Sequence, residues 1–152
     1  MAPYQGGESL QFRIANRRRN QLIQLEAQVL FSQVEPDHRG GRVRRFYTLP
    51  LERNSVTFFP TVWTIVHPIG DDSPLKGRTP EDLAHGEAEL LILLSGIDDT
   101  FAQTVHARSS YRFDEIVWGA RFVSPYQRDG DGSRLRADIG RLHQFERVER
   151  PS

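Results

Sequence analysis

A chain of 152 residues is long enough to bury the core of one domain, and its composition, 26% charged and 38% hydrophobic, is typical of a soluble globular protein. It contains no cysteine, which excludes disulfides and thiolate metal sites. The formal net charge is zero, which argues against a nucleic-acid-binding protein, although the first 50 residues hold eight arginines against four acidic residues.

The first predicted strand covers residues 10–15, where apolar and polar residues alternate. A basic turn follows at residues 16–20 and contains three consecutive arginines, Arg17, Arg18 and Arg19. Three neighbouring guanidinium groups repel one another unless solvent or an anion lies beside them. The turn is therefore either a solvated loop or a phosphate-binding patch, and the residues alone leave both open.

Residues 22–31 have the most regular alternation in the chain. The apolar side chains expected on one face are those of Ile23, Leu25, Ala27, Val29 and Phe31. The polar side chains expected on the opposite face are those of Gln24, Glu26 and Gln28. This pattern predicts a half-buried strand of an antiparallel sheet, whose polar face meets bulk water or lines an aqueous vestibule.

The next segments are predicted to form a hairpin and two further strands. Residues 36–41 are rich in turn formers, and residues 43–49 are expected to return beside the preceding strand. Residues 51–59 form a loop or a short edge strand, and residues 61–67 are β-branched and aromatic, which favours a strand that ends at Pro68.

A short helix is predicted to begin at Pro80. Thr79 is the expected N-cap, Pro80 occupies the first helical position, and Asp82 is placed where its side chain caps back. Gly86 is expected to end the helix after about two turns.

The chain is organised around residues 89–122. Their apolar run at 90–94 predicts a buried strand and is far shorter than the roughly 20 apolar residues of a membrane helix. We expect the strand to break at Ser95-Gly96, where glycine permits a sharp bend or a close approach of another backbone. An acidic bend at Asp98-Asp99 then leads into a second strand at 104–108.

Towards the C-terminus we predict a turn at 124–127, a tight turn at 129–132, a last strand at 133–139 and a polar tail at 147–152. Many short strands with frequent turns predict an all-β, immunoglobulin-like β-sandwich with one or two short helices.

The sequence contains no common catalytic motif, so we predict no enzyme activity, no cofactor and no metal site. A hydrolase would need two of Asp98, Asp99 and His106 to converge in one pocket. His67 and His106 lie in predicted strands, where structural roles are expected.

A second function remains open for such a sandwich, namely a stand-alone module that recognises a protein or a carbohydrate. That function requires an exposed aromatic platform. The candidate residues are Phe58, Phe59, Tyr111 and Tyr126.

Four stretches in this order resemble the cytoplasmic C-terminal domain of inward-rectifier potassium channels, particularly the bacterial members. They are residues 12–20, residues 63–69 with 72–75, residues 94–100 with 103–108, and residues 111–122, which end in Trp-Gly-Ala-Arg-Phe. Any one motif is weakly specific, but the ordered set covers nearly the whole chain.

The resemblance implies that residues 1–152 are a single cytoplasmic regulatory domain, with a sandwich over about 9–146 and the transmembrane pore domain outside this chain. Its partners would be three further copies in a homotetramer, its own pore domain, potassium ions in transit and anionic phospholipid head groups. It would lie on the cytoplasmic side of the bacterial inner membrane.

The resemblance also assigns roles to residues. The gating loop that forms the pore constriction would contain Gly96, Ile97, Asp98, Asp99, Ala102 and Gln103. The vestibule would be lined by Gln24, Glu26 and Gln28, and anionic lipid would be bound by Arg17, Arg18 and Arg19. Gln24 and Ser95 stand where acidic residues are common in the family, so strong polyamine block is not implied.

Overall fold

The computed structural model describes residues 1–16, 21–59, 62–124, 126–128, 135–137 and 141–148. Two antiparallel sheets and two short β-ribbons account for most of these residues. In chain order the strands are β1 (Ala2–Tyr4), β2 (Gly7–Ala15), β3 (Leu22–Pro36), β4 (Arg42–Leu49), β5 (Ser55–Phe58), β6 (Val62–Pro68), β7 (Glu89–Asp98), β8 (Gln103–Arg112), β9 (Ala120–Phe122), β10 (Tyr126–Arg128), β11 (Leu135–Ala137) and β12 (Phe145–Arg147).

The larger sheet has the strand order β4–β3–β7–β8. Strand β3 is long enough to pair with two strands along the same edge, β4 beside residues 29–36 and β5 beside residues 23–26. The smaller sheet has the order β1–β2–β6, and the two ribbons pair β10 with β11 and β9 with β12.

The hydrophobic core lies between the two sheets. Phe12 and Ile65 contribute to it from the smaller sheet, and Val29, Phe31 and Leu90 from the larger one. Each of these side chains is at least nine-tenths buried, and burying a side chain of this size contributes about 1.5–3 kcal/mol. The predicted all-β sandwich is therefore confirmed.

The predicted hairpin between β3 and β4 is confirmed. The side chain of Asp37 shapes its turn, because Oδ1 accepts the backbone N–H groups of Arg39 and Gly41, each at 2.8 Å. Gly40 has a φ of 82°, a conformation that glycine adopts without strain.

The short helix α1 (Pro80–His85) has the predicted caps. The hydroxyl of Thr79 accepts the N–H of Asp82 at 3.2 Å, and the carboxylate of Asp82 accepts the N–H of Thr79 at 2.9 Å. These bonds to Thr79 lower the pKa of Asp82. The N–H of Gly86 bonds to the carbonyl of Asp82 at 3.1 Å and closes the helix. A single 3-10 turn also forms at Phe113–Glu115.

The expected strand break at Ser95-Gly96 is wrong. Strand β7 continues without interruption to Asp98, because it pairs on one side with β3 and on the other with β8. The irregularity lies instead in β3. Between two aligned pairs, β3 has two residues, Gln24 and Leu25, where β7 has only Gly96.

The predicted turn at 124–127 is also wrong, because Tyr126 begins β10 and pairs with Ala137 of β11. The predicted last strand at 133–139 is described over Leu135–Ala137, and the predicted tight turn at 129–132 lies outside the described residues. In the described part of the chain, no helix has the length and apolar character needed to cross a bilayer.

Candidate functional site

The outer face of the larger sheet carries two rows of directly opposed residues. In one row Ser95 of β7 pairs with Glu26 and with His106, and in the next row Leu93 pairs with Gln28 and Arg108. Opposed residues of an antiparallel sheet project from the same face, so these side chains lie side by side. We call the polar members of the two rows the polar face: Glu26, Gln28, Ser95, His106 and Arg108.

The polar face is open to solvent. The side chains of Glu26, Gln28, His106 and Arg108 are exposed, and Ser95 is half-buried. A wall beside it is formed by Thr48 of β4 and by Leu51 and Asn54 of the segment between β4 and β5, and it encloses an open groove of about 820 Å³. The predicted exposure of Glu26 and Gln28 is confirmed.

Gln24 is placed differently from the other two predicted vestibule residues. It lies in the bulge of β3 with a φ of 49°, in the left-handed region. The bulge shifts the alternation, so that Leu22 is buried and Ile23, which was expected in the core, is only half-buried. Gln24 is exposed but does not pair with β7 as Glu26 does.

The residues expected in the gating loop form the end of a hairpin. Gly96, Ile97 and Asp98 are the last residues of β7, and Gln103 is the first residue of β8. The residues between them, 99–102, form a turn that we call the hairpin tip. Ala102 in this turn has a φ of 50°.

Asp98 holds the hairpin tip in shape. Its side chain is buried, and Oδ1 accepts the N–H groups of Thr100 at 3.0 Å and of Phe101 at 3.3 Å. A carboxylate that accepts the backbone N–H groups two and three residues further along the chain stabilises a turn. Asp99 and the ring of Phe101 remain exposed.

The hairpin tip and the start of β3 lie at the same end of the sandwich. The N–H of Asp99 donates to the carbonyl of Gln21 at 3.1 Å. Arg17, Arg18 and Arg19 lie outside the described residues, which resume at Gln21.

The residues considered for a hydrolase do not converge. Asp98 is buried and pairs with Gln103, whereas His106 pairs with Ser95 and projects from the polar face. The structural role expected for His106 is therefore wrong, since its side chain is exposed. Within the described ranges, no group of three or more histidine and acidic side chains is arranged to hold a metal ion.

The aromatic residues considered for a recognition platform are also dispersed. The ring of Tyr111 is tilted against that of Phe12 in the core, with 5.8 Å between the centroids, and Phe59 packs against the core from its edge. Phe58 and Tyr126 are exposed, on β5 and β10 respectively.

His67 has the structural role that its strand position predicts. Its ring is buried, with Nδ1 at 2.6 Å from the carbonyl oxygen of Pro50 and Nε2 at 2.7 Å from the hydroxyl of Ser73. Burial lowers the pKa of His67 from its ordinary value of 6.5, since the charged ring is poorly solvated there.

Sequence reasoning missed the contribution of β8 to the polar face. Residues 104–108 were predicted as a strand, but only the register shows that His106 and Arg108 stand beside Ser95 and Leu93. The alternation within β8 indicates two faces without showing which face is covered.

Comparison with known proteins supplies the family. The inward rectifier potassium channel C-terminal domain matches residues 3–152. Among curated proteins, the chain is 37% identical over 145 residues to the inward rectifier potassium channel Kirbac3.1 of Paramagnetospirillum magnetotacticum, covering 95% of this chain and 49% of that protein.

Mammalian channels are similar at lower identity. The human inward rectifier potassium channel 4 is 32% identical over 146 residues, and the human ATP-sensitive inward rectifier potassium channel 14 is 32% identical over 152 residues. Each match covers 89% of this chain and 31% of the relative. The chain thus spans about half the length of the bacterial relative and about a third of the mammalian ones. On the extent of these matches, the chain belongs to the family of inward rectifier potassium channel C-terminal domains.

Proposed function

We propose that this chain is the cytoplasmic pore-forming and gating domain of a bacterial inward-rectifier potassium channel. Four copies surround an axis beneath a transmembrane pore domain and extend the path of the potassium ions into the cytoplasm. The polar face is the surface that lines this path, so that Glu26, Gln28 and His106 contact hydrated ions.

One observation carries this proposal. The larger sheet buries its inner face in the core, yet its outer face carries several charged and polar side chains beside an open groove. Rings of polar and acidic side chains are a recurring means of conducting cations. Glu26 would supply four carboxylates to such a ring, one from each copy.

The hairpin tip is the proposed constriction. Asp98 fixes the turn from inside the domain, so that a small movement of β7 or β8 would be transmitted to residues 99–102. Phe101, which is 64% exposed, would meet its symmetry mates or the pore domain there. An apolar ring around an ion path gates by excluding water.

The basic turn is the proposed contact with anionic phospholipid. Arg17, Arg18 and Arg19 follow β2 and precede Gln21, whose carbonyl is bonded to the hairpin tip. A cluster of arginines close to a membrane attracts anionic head groups. Lipid binding at this turn would therefore act on the same end of the domain as the constriction.

Cysteine accessibility in the channel that carries this chain tests whether the polar face lines the ion path. The chain has no cysteine of its own, which leaves introduced thiols unambiguous within it. Glu26→Cys and Gln28→Cys are expected to lose potassium current when a positively charged thiol reagent is applied from the cytoplasmic side. The parent channel, treated in the same way, gives the baseline.

Glu81→Cys is the matched control, because Glu81 is also exposed but lies on α1, away from the polar face. Its current should not change on modification. If Glu26→Cys and Gln28→Cys are modified, as judged by mass, while the current stays unchanged, the polar face does not line the ion path.

A further inference from the structure

The two lateral edges of the larger sheet are formed by β4 and β5 on one side and by β8 on the other. Among the described strands, β5 pairs with β3 alone and β8 pairs with β7 alone, so each has an outer edge without a partner strand. The free N–H and C=O groups of such an edge can pair with another chain, and proteins usually protect an edge strand with charged side chains or proline.

Charged residues protect β4 but not β5 or the start of β8. Strand β4 contains the three arginines Arg42, Arg44 and Arg45. In contrast, β5 consists of Ser-Val-Thr-Phe, and β8 begins with Gln-Thr-Val before its first ionisable residue, His106. Residues 55–58 and 103–105 are therefore uncharged edges, a composition typical of strands that another chain covers.

A large exposed aromatic ring accompanies each of these two uncharged edges. Phe58 is the last residue of β5, and Phe101 lies in the hairpin tip, just before β8 begins. Each ring is 64% exposed. Burying a phenylalanine side chain contributes about 1.5–3 kcal/mol, so both rings would gain from a partner surface.

The register places the two aromatic residues at the same end of the sheet. Phe58 pairs with Ile23, which pairs with Ile97 on its other side. Ile97 pairs in turn with Thr104, three residues after Phe101. This row crosses β5, β3, β7 and β8 and is about 14 Å wide at the usual strand spacing. Phe58 and Phe101 therefore lie on opposite sides of one copy.

A closed ring of identical copies needs two unlike surfaces on opposite sides of each copy, because each copy contacts its two neighbours through different patches. We infer that β5 with Phe58 of one copy packs against Phe101 and the start of β8 of the next copy. The inference rests on the proposed function, in which the polar face of the same sheet is turned towards the ion path and its two edges towards the neighbouring copies. It adds the contact that holds neighbouring copies together beside the proposed constriction.

Cross-linking in the channel that carries this chain tests the contact, with any cysteine outside the chain replaced. Phe58→Cys combined with Phe101→Cys, treated with a short thiol-to-thiol cross-linker, should give covalent dimers, trimers and tetramers, because each copy reacts with two different neighbours. Either single variant should remain uncross-linked, since like positions do not meet. Phe46→Cys combined with Phe101→Cys is the matched control and should give no covalent tetramer. Phe46 is 63% exposed but lies on β4, where it pairs with Ser32.

A second pair of positions keeps the test valid if the first pair does not fold. Thr57 and Gln103 are exposed polar residues on the same two edges. Thr57→Cys combined with Gln103→Cys should therefore give the same series of covalent products.

The native mass of the solubilised variants separates failure of this inference from failure of the proposed function. A tetramer whose thiols react with a small reagent, but which gives no covalent trimer or tetramer, would overturn the contact and leave the proposed ring intact. Covalent dimers from Phe101→Cys alone, in the yield of the double variant, would place the hairpin tips against one another and also overturn it. A channel that is not tetrameric would refute both the contact and the proposed function.

Discussion

At the residue scale, His67 connects three parts of the chain through its two ring nitrogens. The carbonyl of Pro50 can only accept, so Nδ1 carries the proton and Nε2 accepts the hydroxyl hydrogen of Ser73. Ser73 Oγ in turn accepts the N–H of Leu75 at 3.1 Å. The neutral ring thus fixes the end of β4 and the loop after β6 against the core.

This arrangement predicts a loss of stability at mildly acidic pH. Burial lowers the pKa of folded His67, so below about 6.5 the unfolded chain takes up a proton that the folded chain does not. The contribution of His67 is complete above pH 6.5 and is lost as the pH falls towards the lowered pKa. Urea unfolding measured between pH 8 and pH 5 should show this decline.

His67→Gln should be less stable than the parent at pH 8 and should lose the part of the pH dependence that His67 contributes. His38→Gln is the matched control, because His38 is exposed in the β3–β4 turn. Its unfolding free energy should depend on pH as that of the parent does. If the unfolding free energies of the parent and of His67→Gln changed equally with pH, this explanation would be contradicted.

At the scale of single elements, the sequence was most informative where local chemistry decides the structure. The capping residues of α1, the turn around Asp37 and the alternation of β3 from Leu25 to Val29 each depend on neighbours in the chain, and each was predicted. The uninterrupted course of β7 was not, because it is stabilised by pairing with β3 and β8, which lie far away in sequence. Of the two roles that the sequence allows for Gly96, a sharp bend or a close approach, the structure shows the close approach.

That contact predicts a measurable coupling between Gly96 and Leu25. A Cβ atom added at Gly96 would lie 2.9 Å from Cδ1 of Leu25 and 3.5 Å from the carbonyl oxygen of Ile23. Gly96→Ala should therefore cost about 1–3 kcal/mol of unfolding free energy through overpacking. Leu25→Val alone should cost about 1 kcal/mol through the cavity that it leaves.

The double variant, Gly96→Ala with Leu25→Val, should be more stable than the sum of the two single effects implies, because the shorter side chain makes room for the new methyl group. Urea unfolding of the four proteins gives the coupling energy, which we expect to be about 1 kcal/mol. Gly70→Ala is the control, since an added Cβ at Gly70 meets nothing within 4 Å. Strict additivity would mean that the two positions do not compete for space.

At the scale of the whole molecule, the two sheets carry different surface features. The larger sheet presents the polar face and the hairpin tip, and the smaller sheet with the C-terminal ribbon of β9 and β12 encloses a separate cavity of about 240 Å³. Alternation in a sequence distinguishes the two faces of a strand, but it does not show which polar face is free. The exposure of Glu26 and Gln28 follows from the alternation of β3, whereas the position of His106 and Arg108 beside them requires the register between β7 and β8.

The whole-molecule arrangement also predicts how the basic turn contributes to membrane association. Arg18→Ala combined with Arg19→Ala should weaken binding to anionic phosphatidylglycerol vesicles roughly 30-fold, from about 1 kcal/mol for each arginine near a charged surface. Sedimentation with vesicles at constant salt measures the change, and neutral phosphatidylcholine vesicles give the background. The unfolding free energy should stay within about 0.5 kcal/mol of the parent value, as for other surface changes.

The control for this experiment is Arg39→Ala combined with Arg53→Ala, which removes the same charge from two exposed positions outside the basic turn. If the attraction depended only on net charge, both pairs would weaken binding equally. We expect the control pair to have the smaller effect, because screening confines the attraction to charges within about 10 Å of the membrane surface. Equal losses would show that the chain approaches anionic membranes without a preferred orientation, and the basic turn would then have no special part in lipid binding.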